Sequence, residues 1–269
     1  MGLQNFKLLM SQSSGWWNKL NTCTYFLKRA FQKCGLCAPS LGETYCLNLQ
    51  RLYIHFNKKS LEIRHFEEIF IDKAYERNED FIPQPGWTII DLGANIGLFA
   101  LRNSQRIENG KILCVEPNPM VFPILLKNLR ANYVQNVNVF PLAIGEKTGK
   151  EVLRFSPSLT TEGSIINGRF TTDADVMEVE VTTETLDDFG KTRNLTGRID
   201  LIKMDIEGAE IGAIRGGNNL LKRTKRVMID HDSSPLKPLQ DEFHHLGFEN
   251  VLNVPHPFNI AYFINGNIA

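Results

Sequence analysis

After residue 86, the sequence alternates short apolar runs with longer amphipathic segments. The apolar runs have the length of buried β-strands and lie at residues 87–91, 111–116, 137–140, 201–205 and 226–230. The amphipathic segments have the spacing of helices and lie at residues 96–107, 119–132 and 235–246. Because strands that alternate with helices form parallel sheets covered on both faces, this pattern predicts an α/β domain with a Rossmann-like sheet.

Two stretches depart from this alternation. Residues 251–254 and 260–264 are apolar and are separated by a Pro-His-Pro turn without a helix, which predicts an antiparallel hairpin at one edge of the sheet. Residues 151–189 contain two further strand patterns, at 151–155 and 177–182, around a polar loop. Long loops inside a compact domain are often functional, so we expect these residues to form an insertion that lies over the ligand site.

The first 65 residues have a different pattern. Aromatic and apolar residues recur at helical intervals through residues 1–40, interleaved with Lys and Arg, and predict one or two amphipathic helices. Residues 47–56 alternate and favour a strand, whereas residues 66–75 have helical spacing. We therefore expect a mainly helical extension at residues 1–65 and one domain at 66–269. The amphipathic helices are expected to pack on that domain or to contact a membrane surface or a partner.

Composition and charge narrow the class of protein only slightly. The 269 residues include 30 Lys and Arg against 30 Asp and Glu, so the net charge is zero and gives no signal for nucleic-acid binding. No apolar run approaches the roughly 18 residues of a membrane-spanning helix. The N-terminal residues also lack the pattern of a signal peptide, so we expect a cytoplasmic protein without a transmembrane segment.

Four cysteines lie close together in the sequence: Cys23, Cys34, Cys37 and Cys46. Cys34 and Cys37 have the spacing of half a zinc site, and the other two would complete a set of four ligands. Since there is only one closely spaced pair, four reduced thiols in the extension are the alternative interpretation.

A glycine-containing segment, Asp91-Leu-Gly-Ala-Asn-Ile-Gly97, joins the first predicted strand of the domain to a helix. Glycines let the backbone turn tightly and approach a ligand, and the helix N-terminus offers free N–H groups. Asn95 stands where the dinucleotide fingerprint has its middle glycine. This favours an amino-acid tail over a pyrophosphate, with Asp91 near the ammonium and the loop N–H groups near the carboxylate. The candidate cofactor-binding residues here are Asp91, Gly93, Ala94, Asn95 and Gly97.

An acidic residue ends the second predicted strand: Glu116, which is 19 positions after Gly97. In nucleotide-binding folds, an acid at this place accepts hydrogen bonds from the two ribose hydroxyls. The glycine segment and Glu116 together predict a nucleoside cofactor. Pro117, which ends the strand, and Ala143, just beyond the third strand, complete the predicted cofactor site.

Three acids cluster after the fourth predicted strand, in the segment Lys203-Met-Asp-Ile-Glu-Gly-Ala-Glu210. Ligands of open α/β sheets bind at the carboxyl ends of the strands, so Asp205 is expected to point into the crevice and to serve both the cofactor and the chemistry. Glu207 is a second catalytic candidate. Alternatively, Glu207 and Glu210 stabilise the N-terminus of the next helix.

These segments resemble the FkbM family of methyltransferases. The likeness rests on residues 91–97, on Val115-Glu-Pro-Asn-Pro119, on Thr185-Leu-Asp-Asp188 and above all on residues 203–210, and it spans roughly residues 66–264. The resemblance implies a class I methyltransferase fold, a mostly parallel seven-stranded sheet with an antiparallel C-terminal edge strand. It also implies S-adenosylmethionine (SAM) as the methyl donor and, most often, O-methylation of a hydroxyl on a sugar, a glycan or a small metabolite.

Methyl transfer to a hydroxyl is helped by a general base, and His231 after the fifth strand is the candidate. Where the resemblance predicts Glu-x-His chemistry, the chain has Asp230-His231-Asp232. A divalent cation held by Asp205, Glu207 and Asp230 is the alternative means of polarising the hydroxyl.

Other functions stay open on the sequence alone. One is an RNA or protein methyltransferase that uses residues 1–65 for recognition, and another is a SAM-binding scaffold without catalysis. A nicotinamide-dependent oxidoreductase is disfavoured by Asn95. The expected partner is a small-molecule or glycan acceptor.

Overall fold

The computed structural model describes residues 44–49, 52–57, 65–156, 159–165, 176–231 and 235–268. In this part of the chain the strands are β1 Thr44–Leu49, β2 Leu52–Asn57, β3 Thr88–Leu92, β4 Lys111–Val115, β5 Val137–Phe140, β6 Ala143–Ile144, β7 Gly149–Ser156, β8 Leu159–Ser164, β9 Met177–Glu184, β10 Leu201–Met204, β11 Arg226–Asp230, β12 Phe248–Val254 and β13 Ile260–Asn265. The α-helices are α1 Leu98–Asn103, α2 Phe122–Ala131, α3 Leu186–Thr192, α4 Glu210–Arg215, α5 Asn218–Leu221 and α6 Leu236–His245. A π-helix at Glu67–Ile71 and 3-10 helices at Ala74–Glu76 and Glu79–Phe81 precede α1.

The central sheet has seven strands in the order β12-β13-β11-β10-β3-β4-β5. Strands β11, β10, β3, β4 and β5 are parallel to one another. The predicted Rossmann-like α/β class is confirmed, and each strand predicted from the apolar runs is present. The carboxyl ends of β3, β4 and β10 therefore meet at one edge, where the three candidate site segments leave the sheet.

The terminal hairpin lies at one edge of this sheet, as predicted. The strand at the very edge is the first of the hairpin, however, and not the C-terminal one. Strand β13 is antiparallel to both β11 and β12, so the C-terminal strand is internal and β12 is the edge strand. The prediction of an antiparallel C-terminal edge strand is wrong in this respect. The physical reason is burial: Ile260–Asn265 is buried at nearly every position, whereas β12 alternates and leaves Val251 exposed.

Apolar side chains cover the central sheet on both faces. Along β3, Ile89 belongs to one hydrophobic core and Ile90 to the other. The first core includes Phe99 of α1 and Leu125 of α2, and the second includes Phe189 of α3. This two-sided burial explains why the parallel strands read as continuous apolar runs rather than alternating ones.

Helices α1 and α2 are shorter than the amphipathic patterns predicted. Gly97 has a φ of +85° and precedes α1, so the helix cannot begin at residue 96. Pro123, rather than Pro119, occupies the first turn of α2. The residues before each helix are used instead for the loops that shape the site.

The predicted insertion forms a second sheet, with the strand order β6-β9-β7-β8. Strands β7 and β9 are the two strands expected at 151–155 and 177–182, and β8 pairs with β7. Leu153, Phe155 and Val181 form a small core beneath it together with Ala143. Helix α3 starts at Leu186, inside the range given to the insertion, and belongs to the second core of the central sheet.

The strand predicted at residues 47–56 is an antiparallel pair, β1 and β2, which packs on α2. The backbone N–H of Tyr53 donates to Asn132 Oδ1 at 2.8 Å, and that of His55 donates to Asn128 Oδ1 at 2.6 Å. Asn128 also donates to the carbonyl of Ile96 at 2.9 Å. The hairpin therefore joins the core of the domain and is linked, through Asn128, to the glycine segment.

Several predictions for the N-terminal part fall on residues outside the described ones. These are the amphipathic helices of residues 1–40 and Cys23, Cys34 and Cys37. Cys46 is described and is a half-buried free thiol. The helical pattern at 66–75 corresponds to the π-helix and the first 3-10 helix. Among the helices that the structure describes, none is long and apolar enough to cross a membrane.

Candidate active site

The glycine segment turns sharply between β3 and α1. Gly93 has a φ of +73°, and a Cβ atom there would lie 1.8 Å from the carbonyl oxygen of Asp205. Only glycine allows the two loops to approach this closely. Asn95 also has a positive φ, +49°, a conformation that asparagine tolerates better than most residues. Its backbone N–H points to the end of β4 and donates to Glu116 Oε2 at 2.8 Å.

Glu116 is held at the end of β4 by two backbone donors. Its Oε1 accepts from the N–H of Asn118 at 2.8 Å, while Oε2 accepts from Asn95. Burial raises the pKa of Glu116 to about 7, although these two N–H donors act in the opposite direction. Each carboxylate oxygen has a further acceptor site, so the group can still accept hydrogen bonds from a diol.

A cavity of about 600 Å³ opens between the glycine segment and the second sheet. Its lining brings together most of the residues predicted for the cofactor and the chemistry: Gly93, Asn95, Glu116, Pro117, Ala143, Asp205 and Glu207. Apolar side chains cover the opposite wall, with Ile144 from β6 and with Leu153 and Ile165 from the insertion. A buried diol acceptor beside an apolar wall fits the ribose and the flat base of a nucleoside. The residues present therefore fit SAM.

A second cavity, of about 320 Å³, lies on the other side of the glycine segment. Ala94, Tyr75 and Lys203 line it together with residues of the π-helix. His65 and Asp205 line both cavities, as do Gly93 and Asn95. The two spaces are thus neighbours that meet along these four residues. The sequence analysis missed His65 because a single histidine before a helix carries no ligand spacing.

Asp91 occupies a different place from the one predicted. The residue is fully buried, it lines neither of these cavities, and its Oδ1 lies 3.1 Å from Lys203 Nζ. Direct contact between Asp91 and a ligand ammonium is therefore not supported, because the carboxylate faces Lys203 beneath the loop. Burial raises the pKa of Asp91, and Lys203 offsets part of that effect.

Lys203 is the first residue of the acidic motif at residues 203–210, and no role was predicted for it. Its Nζ donates to the carbonyl of Gly93 at 3.1 Å and lies 3.5 Å from Asp205 Oδ2. Burial lowers the pKa of Lys203, but the carboxylates of Asp91 and Asp205 outweigh that effect and raise it, so the ammonium stays protonated. Lys203 and Asp91 are paired in register across the parallel strands β10 and β3, and this alignment is the signal that could have found the contact.

Tyr75 adds a neutral donor to the same group. Its hydroxyl donates to Asp205 Oδ2 at 3.4 Å, and its ring packs edge-on against Phe99. Burial and the neighbouring Asp205 carboxylate raise the pKa of Tyr75 well above its ordinary value. The phenol therefore remains protonated, and the same oxygen of Asp205, Oδ2, lies near both the Lys203 ammonium and the Tyr75 hydroxyl.

The remaining acids of the motif have separate roles in the structure. Glu207 lines the first cavity, and its carbonyl accepts from Ser164 Oγ of the insertion at 2.8 Å. Glu210 is buried and accepts from the backbone N–H groups of Ile206 at 3.3 Å and Gly208 at 3.1 Å. The stabilising interpretation therefore holds for Glu210, whereas Glu207 belongs to the cavity.

His231 and Asp230 do not join Asp205 and Glu207 among the residues that line the cavities. The backbone N–H of His231 donates to the carbonyl of Asn259 at 3.0 Å, and His231 lines neither of the two cavities. Asp232 lies outside the described residues. Within the described ranges, no three His, Cys, Asp or Glu side chains form a group that could hold a metal ion, so Asp205, Glu207 and Asp230 do not form such a site.

The chain is similar to known methyltransferases over most of its α/β domain. The Methyltransferase FkbM domain matches residues 91–249. "Methyltransferase 1" of Beauveria bassiana is 31% identical over 175 residues, which are 59% of this chain and 68% of that protein. The "2-O-methyltransferase NoeI" of Sinorhizobium fredii is 25% identical over 178 residues, covering 61% of this chain and 71% of that protein.

Among solved structures, the magnesium protoporphyrin IX methyltransferase of Synechocystis with bound SAM aligns with a TM-score of 0.47 and 10% identity, over 98% of this chain and 99% of that one. The family match covers more than half of this chain and contains the glycine segment, Glu116 and the acidic motif. The chain belongs to the FkbM family of methyltransferases and is a SAM-dependent methyltransferase.

Proposed function

We propose that this methyltransferase acts on a hydroxyl oxygen of a small molecule, with a sugar or glycan hydroxyl as the first class to test. The observation that carries the proposal is that His65 and Asp205, two groups able to accept a proton or a hydrogen bond, line both cavities. A hydroxyl must lose its proton when its oxygen is methylated, so such groups are needed next to it. The name of the Sinorhizobium relative, a 2-O-methyltransferase, supports the same class of acceptor.

In this proposal the first cavity holds the nucleoside part of SAM. Glu116 accepts from the ribose hydroxyls, and the apolar wall of Ile144 and Leu153 receives the base. The segment from Gly93 to Gly97, with Ala94 and Asn95, follows the amino-acid tail, while Pro117 and Ala143 close the cavity. When bound, SAM supplies a methyl group on a sulfonium, and the chain supplies position, charge and a proton acceptor.

The acceptor is activated by residues at the junction of the cavities. We assign the general base to His65 rather than to His231, because His65 lines both cavities and His231 lines neither. The hydroxyl donates its hydrogen bond to His65, while the negative charge of Asp205 stabilises the imidazolium that forms, and Glu207 lines the first cavity next to it. The proton of the hydroxyl passes to the His65 imidazole and then to solvent.

The acceptor class is tested with methyl-labelled SAM and separate panels of monosaccharides, polyhydroxylated metabolites, RNA and peptides. We expect label in a sugar or metabolite product that resists mild alkaline hydrolysis, as an ether does and a methyl ester does not. Label found in RNA, in peptides, or in an alkali-labile product would contradict the proposal.

The base is tested with two matched variants, His65→Gln and His231→Gln. We expect His65→Gln to lower kcat by about 10²-fold or more, the usual size of a general-base contribution, while S-adenosylhomocysteine (SAH) binding changes little. The His231→Gln variant is expected to keep kcat within about threefold, since His231 lines neither cavity and, within the described part of the chain, its backbone N–H donates to Asn259. The reverse order of the two effects would reject His65 as the base.

A further inference from the structure

Lys203 is the one residue of β10 that carries a charge into the centre of the sheet. Its strand neighbours, Leu201, Ile202 and Met204, are fully buried apolar side chains, and Lys203 itself is 3% exposed. A buried ammonium is costly unless it is paired and its donors are satisfied. An apolar residue would pack here without that cost, so the charge calls for a functional explanation.

The ammonium lies close to oxygens from three different segments. Nζ lies 3.1 Å from Asp91 Oδ1 at the end of β3, 3.1 Å from the carbonyl of Gly93, and 3.5 Å from Asp205 Oδ2 beyond β10. These segments already approach each other so closely at Gly93 that no side chain fits between them. Lys203 therefore fixes the backbone of the cofactor loop and the Asp205 carboxylate relative to one another.

The ammonium lies among acids. Asp91 and Asp205 face it, Tyr75 contributes only a neutral hydroxyl, and Glu68 also lines the second cavity. Without Lys203, the two carboxylates would share the site unscreened, and one would take up a proton. The net charge of the pair would then be unchanged, so what Lys203 contributes is the position of these oxygens and not the charge of the site.

We propose that Lys203 is a positioning residue for methyl transfer, which ties the Gly93 carbonyl and Asp91 to the Asp205 carboxylate and so fixes the cofactor loop against β10. The proposal rests on SAM dependence and not on the class of acceptor. It assigns to Lys203 a role in cofactor binding that goes beyond neutralising Asp91.

A pair of variants separates these two roles. Lys203→Met removes the ammonium and leaves both carboxylates, and Lys203→Met combined with Asp91→Asn removes the buried ion pair as a unit. Thermal unfolding reports the structural effect, while titration calorimetry with SAH and with SAM reports binding. Both readouts are independent of any acceptor, so failure of the O-methylation proposal would leave this test intact.

The single variant is expected to lower Tm and to weaken SAH binding at least about tenfold, which corresponds to about 1.4 kcal/mol. The double variant is expected to recover most of the Tm, because no unpaired buried charge remains at position 91. Its SAH and SAM affinities should stay at least about tenfold below those of the original protein. Recovery of both affinities to within about twofold would overturn the proposal and leave Lys203 as a counter-ion of Asp91.

A third variant decides the matter if the double variant does not fold. Lys203→Arg keeps the positive charge but replaces the compact ammonium with a larger, planar guanidinium, whose N–H groups cannot take the same positions relative to the three oxygens. We expect SAH affinity to fall at least about tenfold, with increased amide hydrogen exchange in residues 93–97. Affinity and exchange equal to those of the original protein would show that charge alone suffices and would reject the positioning role.

Discussion

The buried carboxyl of Glu116 predicts a pH dependence of cofactor binding. The group lies between the N–H donors of Asn95 and Asn118, and its pKa is raised to about 7 by burial. A ribose diol donates hydrogen bonds, so it binds the ionised carboxylate better than the neutral acid. We expect SAH affinity to be nearly constant above about pH 7.5 and to fall as Glu116 is protonated.

The size of the effect follows from the pKa. If only the ionised form binds the diol, the apparent Kd rises about tenfold for each pH unit below the pKa, and thus about tenfold from about pH 8 to about pH 6. Stability changes in the opposite direction. The folded state keeps this proton up to a higher pH than the unfolded state, so the unfolding free energy falls as pH rises from 4.5 to about 7, by about 3 kcal/mol from this group.

The matched variant is Glu116→Gln, which keeps the shape of the side chain and cannot ionise. Titration calorimetry with SAH from about pH 6 to about pH 8 should give a weak but constant affinity in the variant and a sloping one in the original protein. In urea unfolding over the same range, the unfolding free energy of the original protein should fall as pH rises, whereas this group should give no such slope in Glu116→Gln. A constant affinity in the original protein, or an equal slope in Glu116→Gln, would falsify this account of the site.

Two further predictions concern the loops around the site. Gly93→Ala should cost more than about 2 kcal/mol of stability and abolish SAH binding, since the αL conformation alone costs roughly 1–2 kcal/mol and the new Cβ meets the Asp205 carbonyl at 1.8 Å. Gly97→Ala is the control, because the new Cβ would meet only the flexible Leu125 side chain, at 3.3 Å. If both variants lost the same amount of stability in urea unfolding and the same SAH affinity in calorimetry, the contact between position 93 and the Asp205 carbonyl would not be the cause. Glu210→Ala should lower the unfolding free energy by about 1–3 kcal/mol, because two N–H groups of the preceding turn lose the Glu210 carboxylate as their acceptor. Glu210→Gln should recover part of this loss, because its amide oxygen can still accept. An Ala variant as stable as the original would show that these two hydrogen bonds are not needed.

The apolar pattern was sufficient to predict the strands of the central sheet, because a parallel strand buried on both faces consists mostly of apolar residues. Strand β4 is one example: residues 112–115 are apolar and buried. The order of the strands in the sheet could not be predicted in this way, since hydrophobicity indicates that a strand is buried but not which strands lie beside it. The terminal hairpin shows this, as both of its strands were recognised while the internal position of β13 was not.

The candidate site was predicted best where a motif fixes the backbone. Gly93, Asn95 and Glu116 come together because a strand end, a tight turn and a helix start leave few alternatives. Side chains that reach the site from elsewhere gave no such signal. His65 and Tyr75 come from the segment before β3, and the sequence there shows only helical spacing.

Asp91 shows why an acidic residue at a strand end is ambiguous when the sequence is read one segment at a time. Its position near the end of β3 favours a ligand contact, yet the neighbouring strand places Lys203 directly opposite. A carboxylate that faces a buried ammonium across a sheet has its charge compensated there and contributes less to a ligand. Asp205 differs because Lys203 lies farther from it, at 3.5 Å, and because its side chain still reaches both cavities. The two acids near the ammonium of Lys203 therefore differ in position: Asp91 is buried next to the glycine segment, whereas Asp205 lines both cavities.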